Sequence, residues 1–154
     1  MIQRFPNMEV WGHEDARVPN LLGHVVFRNV DFTDTWVSSP GESVDWEAGS
    51  ISLTVTHSPG QAPGHVTFHG HGVYHAGDLL FVRSAGRVDL PGGDPRAQQM
   101  SLIRAKEILQ GLPQDWRLIP GHRYDDFRGE VPDWISLGDA LKHNYFLSNI
   151  TMVD

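Results

Sequence analysis

An alternating run meeting two Pro-Gly pairs constrains this chain more than any other feature. In Ser50-Ile51-Ser52-Leu53-Thr54-Val55-Thr56 the apolar residues Ile51, Leu53 and Val55 alternate with Ser and Thr. That period of two marks a half-buried β-strand. It runs directly into His57-Ser58-Pro59-Gly60-Gln61-Ala62-Pro63-Gly64-His65. Pro-Gly dipeptides fix turns, so this segment is expected to be a rigid loop between strands. Val66-Thr67-Phe68 and Val73-Tyr74-His75 then read as a hairpin turning near Gly70-His71-Gly72. A chain with this core must build a sheet whose strand ends carry stiff loops.

The flanks add helices. Asp78-Leu79-Leu80-Phe81-Val82 reads as a short apolar strand entered through Gly77, and Pro91-Gly92-Gly93 as a turn. Asp94-Pro95 pairs an N-cap with a proline at the first helical position. Met100, Ile103, Ile108, Leu109 and Leu112 supply the apolar stripe of that helix, expected as core, and Gly111 is its terminator. Trp116-Arg117-Leu118-Ile119 is a further strand ending in Pro120-Gly121-His122. A last helix is expected between Asp133 and Leu147, with Gly138 as its weak point. Towards the start, Met8-Glu9-Val10-Trp11 reads as a short strand followed by a polar stretch from Gly12 to Asn20. Val25 to Val37 reads as irregular or weakly extended. Strands and helices in this order make an α/β or α+β domain, and Gln61, Asp78 and His122 each fall where an extended segment meets a Gly-Pro loop.

Composition narrows the function classes. The 154 residues suit a single domain. With 12 Lys+Arg against 19 Asp+Glu the formal charge is −7, which argues against nucleic acid or an anionic membrane as the main partner, since both select a basic face. The chain has no Cys, so disulfides, thiolate metal sites and Cys nucleophiles are excluded. No apolar run reaches the roughly 18 residues of a membrane-spanning helix, and the N-terminal segment lacks a signal-peptide core. The cytoplasm is the expected compartment. Nine His direct attention to metal chemistry.

Taken together, the loops resemble the metallo-β-lactamase superfamily, and within it the glyoxalase II and persulfide-dioxygenase-like branches. His57 to His65 is similar to that family's H-T-P-G-H-T-P-G loop. Gly77-Asp78-Leu79-Leu80-Phe81, with Gly86-Arg87-Val88-Asp89 following, looks like its G-D-x-L-F and G-R-x-D stretches. Ile119-Pro120-Gly121-His122-Arg123-Tyr124 is similar to its P-G-H or P-A-H-x-Y loop. The resemblance implies an αββα sandwich, of which this chain would form the later two-thirds as a single, incomplete domain over residues 1–154. It further implies one or two zinc ions, or iron, held by Asp78 and His122, with Asp78 the catalytic carboxylate. Imidazole and carboxylate suit such ions, which generate hydroxide near neutral pH.

Two departures qualify that implication. No H-x-H-x-D-H motif occurs in the chain, so a complete site would need a segment ahead of Met1 or from another chain. Gln61 stands where the family has a ligand His, and reads either as a weak neutral oxygen donor or as a structural amide of the loop. Arg87, with Arg83 nearby, matches a position that contacts an anionic substrate in glutathione-handling relatives; bracing by Asp89 or Asp94 is the competing role. Tyr124 matches an active-site tyrosine, against a plain packing role. His65, His69, His71 and His75 are expected as a solvent-facing cluster, and His57 as a strand-end residue. The resemblance thus implies a metal-dependent hydrolase of a thioester or ester, such as a glutathione thioester. The alternatives are a catalytically silent domain holding no metal and a mononuclear iron persulfide dioxygenase. The uncovered apolar face and sheet edge of a partial sandwich favour self-association.

Overall fold

The structure, a computed structural model, describes residues 7–16 and 32–150. Two sheets form. The smaller pairs β1 (Trp11–His13) in parallel with β2 (Asp34–Trp36). The larger has six strands in sequential order: β3 (Ser43–Ala48), β4 (Ile51–His57), β5 (Val66–Gly70), β6 (Val73–Gly77), β7 (Arg117–Pro120) and β8 (Ile135–Ser136). All its pairs are antiparallel except β6 and β7, which run parallel because α1 (Pro95–Gly111) lies between them in the chain. Two short helices, α2 (Leu137–His143) and α3 (Tyr145–Asn149), complete the fold.

Strand alternation sends side chains to two different layers. Tyr74, Ala76 and Leu118 join Leu102, Ala105 and Leu109 of α1 and Leu137, Ala140 and Leu147 of the last helices in one core. Tyr74 is fully buried, and its hydroxyl donates to Thr67 Oγ1 at 3.2 Å. Burial pushes the pKa of that phenol up to about 12. On the opposite face, the cross-strand row Val44, Val55, Phe68 and His75 meets Trp36 and Trp11 of the small sheet. Trp36 packs edge-on against Trp46 at 5.4 Å and against Phe68 at 5.6 Å. Sheet on sheet, with helices outside, is the layering expected.

Several local expectations change. The strand near the start begins at Trp11 rather than Met8, because its pairing partner is Asp34–Trp36. Most of Val25 to Val37 lies outside the described residues, but its end forms β2. Asp78–Val82 is not a strand; a single bridge, Leu80 to Ala85, is its only sheet-like pairing among the described residues. Two of its N–H groups are satisfied locally, Leu79 N–H donating to the Ala76 carbonyl and Phe81 N–H to the Ser84 carbonyl, while Asp78 N–H and the Phe81 carbonyl find distant side chains, His65 and Asn144. The run is apolar because Leu79, Leu80 and Val82 plug the core.

Met100 is 59% exposed and is not core. The buried face of α1 is Gln98, Ser101, Leu102, Ala105 and Leu109, with Ile103 at its margin. That face includes two polar residues because it packs on the Pro-Gly loop as well as on the sheet. The proposed single last helix is instead β8, α2 and α3. Asn144 divides the helices, capping α3 through its side chain. Gly138 sits inside α2. The N-cap at Asp94 stands: its carboxylate accepts from the N–H groups of Arg96 and Ala97 at 2.8 and 3.0 Å.

Candidate metal centre

Parallel pairing of β6 and β7 positions the site. Asp78 follows the last residue of β6 and His122 lies two residues past β7, so both emerge at the same end of neighbouring strands. Gly121 N–H donates to the Gly77 carbonyl at 2.7 Å and locks the two strand exits together. The result brings Asp78 Oδ1 to 3.5 Å from His122 Nε2. Gly121 makes the approach feasible, since a β-carbon there would strike the Asp78 carboxylate. The imidazole is exposed and the carboxylate about one-third so, as an accessible ligand pair requires.

The Pro-Gly loop is held against this pair from α1. Ser101 Oγ donates to the Pro59 carbonyl at 2.6 Å, and Asp94 N–H to the Gly60 carbonyl at 2.8 Å. Gly60, at φ +143°, lies so close to Gln98 that no β-carbon fits. This fixed loop carries Gln61 to Gly86: a β-carbon on Gly86 would stand 3.3 Å from Gln61 Cγ and would overlap the Asp78 carbonyl. Gly86 thus lies between the Gln61 side chain and the Asp78 backbone, while direct approach of two expected ligands is seen for Asp78 and His122.

His65 corrects the expectation of a solvent-facing histidine cluster. Its Nε2 accepts the backbone N–H of Asp78 at 3.1 Å, so its proton sits on Nδ1, a buried atom without a hydrogen-bond partner. Burial, the largest cause, lowers its pKa, against the opposing pull of Asp78. His69 is likewise half-buried, its ring stacked near Tyr74 at 6.3 Å. Only His71 and His75 face solvent.

The two expected substrate contacts differ. Arg87 forms a bidentate pair with Asp89, both bonds 2.7 Å, on an exposed surface. That bond holds the Asp89 carboxyl down at about 2 and spends the guanidinium fork on bracing. Arg83 pairs with Asp125 at 3.1 Å. Tyr124 flanks the site, its ring 6.4 Å from His122 and 5.0 Å from Phe81, and is half exposed.

Asp78 and His122 fit as two donors of one ion: a carboxylate and an imidazole are suitable first-row metal ligands, and their separation allows an ion to touch both. Among the described residues no third His, Asp or Glu joins them; the group of three that does occur is His13, Asp15 and His57. Sequence reasoning missed that group. Its members lie on β1, the following turn and the end of β4, and they meet around Ser38, whose carbonyl lies 3.1 Å from a ring nitrogen of both His13 and His57.

The metallo-beta-lactamase superfamily model matches residues 1–122. The chain belongs to this superfamily. A hydroxyacylglutathione hydrolase of Aeromonas hydrophila is 37% identical over 124 residues, covering 80% of this chain and 41% of that protein. Among solved structures, BLEG-1 B3 metallo-beta-lactamase superposes with a TM-score of 0.71 at 26% identity, covering 96% of this chain and 68% of its own. TTHA1623 in a di-iron-bound form superposes at 0.62 with 27% identity, covering 95% and 68%. The chain spans about two-fifths of the length of the first curated hydrolases it matches. Among the described residues, no helix is long and apolar enough to cross a membrane.

Proposed function

We propose that Asp78 and His122 are two ligands of a metal centre that hydrolyses thioesters of the hydroxyacylglutathione class. The observation that carries this reading is their 3.5 Å approach at the ends of two parallel strands, in a chain related to hydroxyacylglutathione hydrolases. Zinc or iron at such a centre supplies a hydroxide at neutral pH and polarises the carbonyl. Asp78 is held by its backbone N–H on His65 and needs no rearrangement to offer its carboxylate. Gln61 contributes at most a neutral oxygen donor. Phe81 and Tyr124 flank His122 on one side. An anionic substrate tail reaches Arg87 only by exchanging with Asp89. The net charge of −7 supports a small-molecule substrate over nucleic acid or membrane.

The test titrates the purified chain with zinc and with ferrous iron, and follows hydrolysis of S-lactoylglutathione. Uptake that is lost in Asp78→Asn and His122→Gln, together with turnover, supports the reading. Gln61 at a ligand position and the two-donor set favour one other reading, a silent binding module of the same fold. Absence of both uptake and turnover supports that module and overturns the hydrolase.

A further inference from the structure

The peptide unit between Gly77 and Asp78 is held at both of its ends, by parts of the chain far apart in sequence. Its carbonyl, on Gly77, accepts the Gly121 N–H at 2.7 Å. Its N–H, on Asp78, donates to His65 Nε2 at 3.1 Å. A backbone N–H can only donate, so Nε2 is the acceptor here and its role does not turn on a choice of tautomer. The C=O and N–H of a trans peptide point in opposite directions. Bonds to both therefore fix the rotation of its plane, and with it the direction in which the Asp78 side chain leaves the backbone.

The sheet ladder does not supply this control. Pairing between β6 and β7 shifts register between His75 and Gly77, and Gly77 is the last paired residue of β6. Such irregularities re-aim the chain beside a site. At φ +52° Gly77 has a left-handed conformation, and glycine leaves it for others at small cost. A peptide that follows such a residue keeps one orientation because its hydrogen bonds hold it. His65 is well anchored for the task. Its own N–H donates to the Ala62 carbonyl at 3.2 Å, and its carbonyl accepts the Ser58 N–H at 2.8 Å, so the Pro-Gly loop grips its backbone on both sides. Its ring lies against the bare Cα of Gly77, where a β-carbon would come within 2.7 Å of Nε2.

We propose that His65 is the positioning residue of the metal centre, orienting Asp78 through the peptide at 77–78. The Pro-Gly loop then serves the centre chiefly through His65 rather than through Gln61. This rests on the reading of Asp78 and His122 as ligands. Gly121, which holds the carbonyl end, directly precedes His122, so one peptide ties the loop to both donors and sets their 3.5 Å approach. His65 touches no ion itself. With its acceptor lost, the N–H end of the peptide is released, the carboxylate samples several directions, and a bound ion must select one of them.

Nuclear magnetic resonance of the labelled, metal-free full chain reads the bond first. A scalar coupling across the hydrogen bond, between the Asp78 amide nitrogen and His65 Nε2, is expected, together with a single Asp78 χ1 rotamer. His65→Phe keeps a ring of similar shape and removes the acceptor. His65→Gln places an amide oxygen close to the position of Nε2. In the Phe variant the Asp78 rotamer should average. Its zinc affinity, measured calorimetrically, should fall about tenfold, the lower end of the loss when a partner that orients a metal ligand is removed. The Gln variant should recover both. A role confined to packing gives the reverse order, with Phe the milder change. Absence of the coupling in the parent overturns the proposal whether or not either variant folds. So does a folded Phe variant with the parent's rotamer and zinc affinity, or a folded Gln variant that recovers neither. A parent that takes up no zinc overturns the ligand reading itself, and with it the centre. The metal-free coupling and rotamer separate that failure from a failure of His65 to orient Asp78.

Discussion

Replacing Asn144 tests how the fold holds the loop that follows Asp78. The side chain is fully buried. Its Nδ2 donates to the carbonyls of Phe81 and Ser84 at 2.9 and 2.8 Å, and its Oδ1 accepts from the N–H groups of Phe146 and Leu147 at 3.0 and 3.2 Å. Asn144→Ala removes the cap of α3, costing about 1 kcal/mol. It also deprives the Phe81 carbonyl of this donor, costing roughly 1–3 kcal/mol. The Ser84 carbonyl keeps the Phe81 N–H at 2.9 Å and adds little. The sum is about 3 kcal/mol, or a fall of roughly 6–12 °C in Tm for a chain of this size. Asn144→Asp separates the two contributions. It keeps the acceptor for α3 but sets a buried carboxylate against two carbonyl oxygens, which raises the pKa of the new group in the folded state. Its folded form is then best tolerated below the unfolded value of about 3.9 and loses stability as pH rises through the raised value. Urea unfolding of both variants across pH is the assay. An alanine variant within about 0.5 kcal/mol of the parent, or an aspartate variant with no extra pH dependence, refutes the reasoning.

Other outcomes follow from the same geometry. Gln61→His should restore an imidazole beside Asp78 and raise zinc affinity at least about tenfold, measured calorimetrically; unchanged affinity would mean that Gln61 does not face the ion. His65 has a folded pKa below its ordinary 6.5, so its contribution is present above the unfolded value and lost as pH falls through the folded one. The midpoint of thermal unfolding should therefore drop on acidification below about 6.5, and His65→Phe should flatten that drop. Strand β3 lies at a sheet edge, and Val37 and Ile51 are exposed, so the chain should self-associate. Light scattering that gives one protomer mass at all concentrations would contradict this.

Local chemistry made much of the fold legible. The strand at Ser50–Thr56, the Pro-Gly pairs and the Asp94-Pro95 cap each act through neighbours in sequence and each is present, though burial along β4 rises towards its end rather than alternating, leaving Ile51 exposed and Thr56 buried. Where long-range packing sets the environment, sequence reading faltered. Asp78–Val82 has the composition of a strand, yet its carbonyls and N–H groups go to turns and to Asn144, more than sixty residues away. Met100 belongs to the apolar set of α1 by spacing, but the helix turns Gln98 and Ser101 inward to grip the Pro59–Gly60 bend. The histidines show the same divide: His71 and His75 face water as expected, whereas His65 is drawn under the Asp78 backbone.

Residue types and their order thus determined which groups could serve as ligands: a carboxylate after Gly77, an imidazole after Pro120-Gly121, and an amide at Gln61. That Asp78 and His122 meet was decided by parallel pairing of β6 and β7 across the intervening helix. The stack of His57 on His13 was likewise decided by tertiary structure, through the packing of the small sheet and Ser38 against the end of β4. Periodicity reports which face a side chain takes, within one strand or helix. It carries no information on which strands become neighbours, and both constellations depend on that choice.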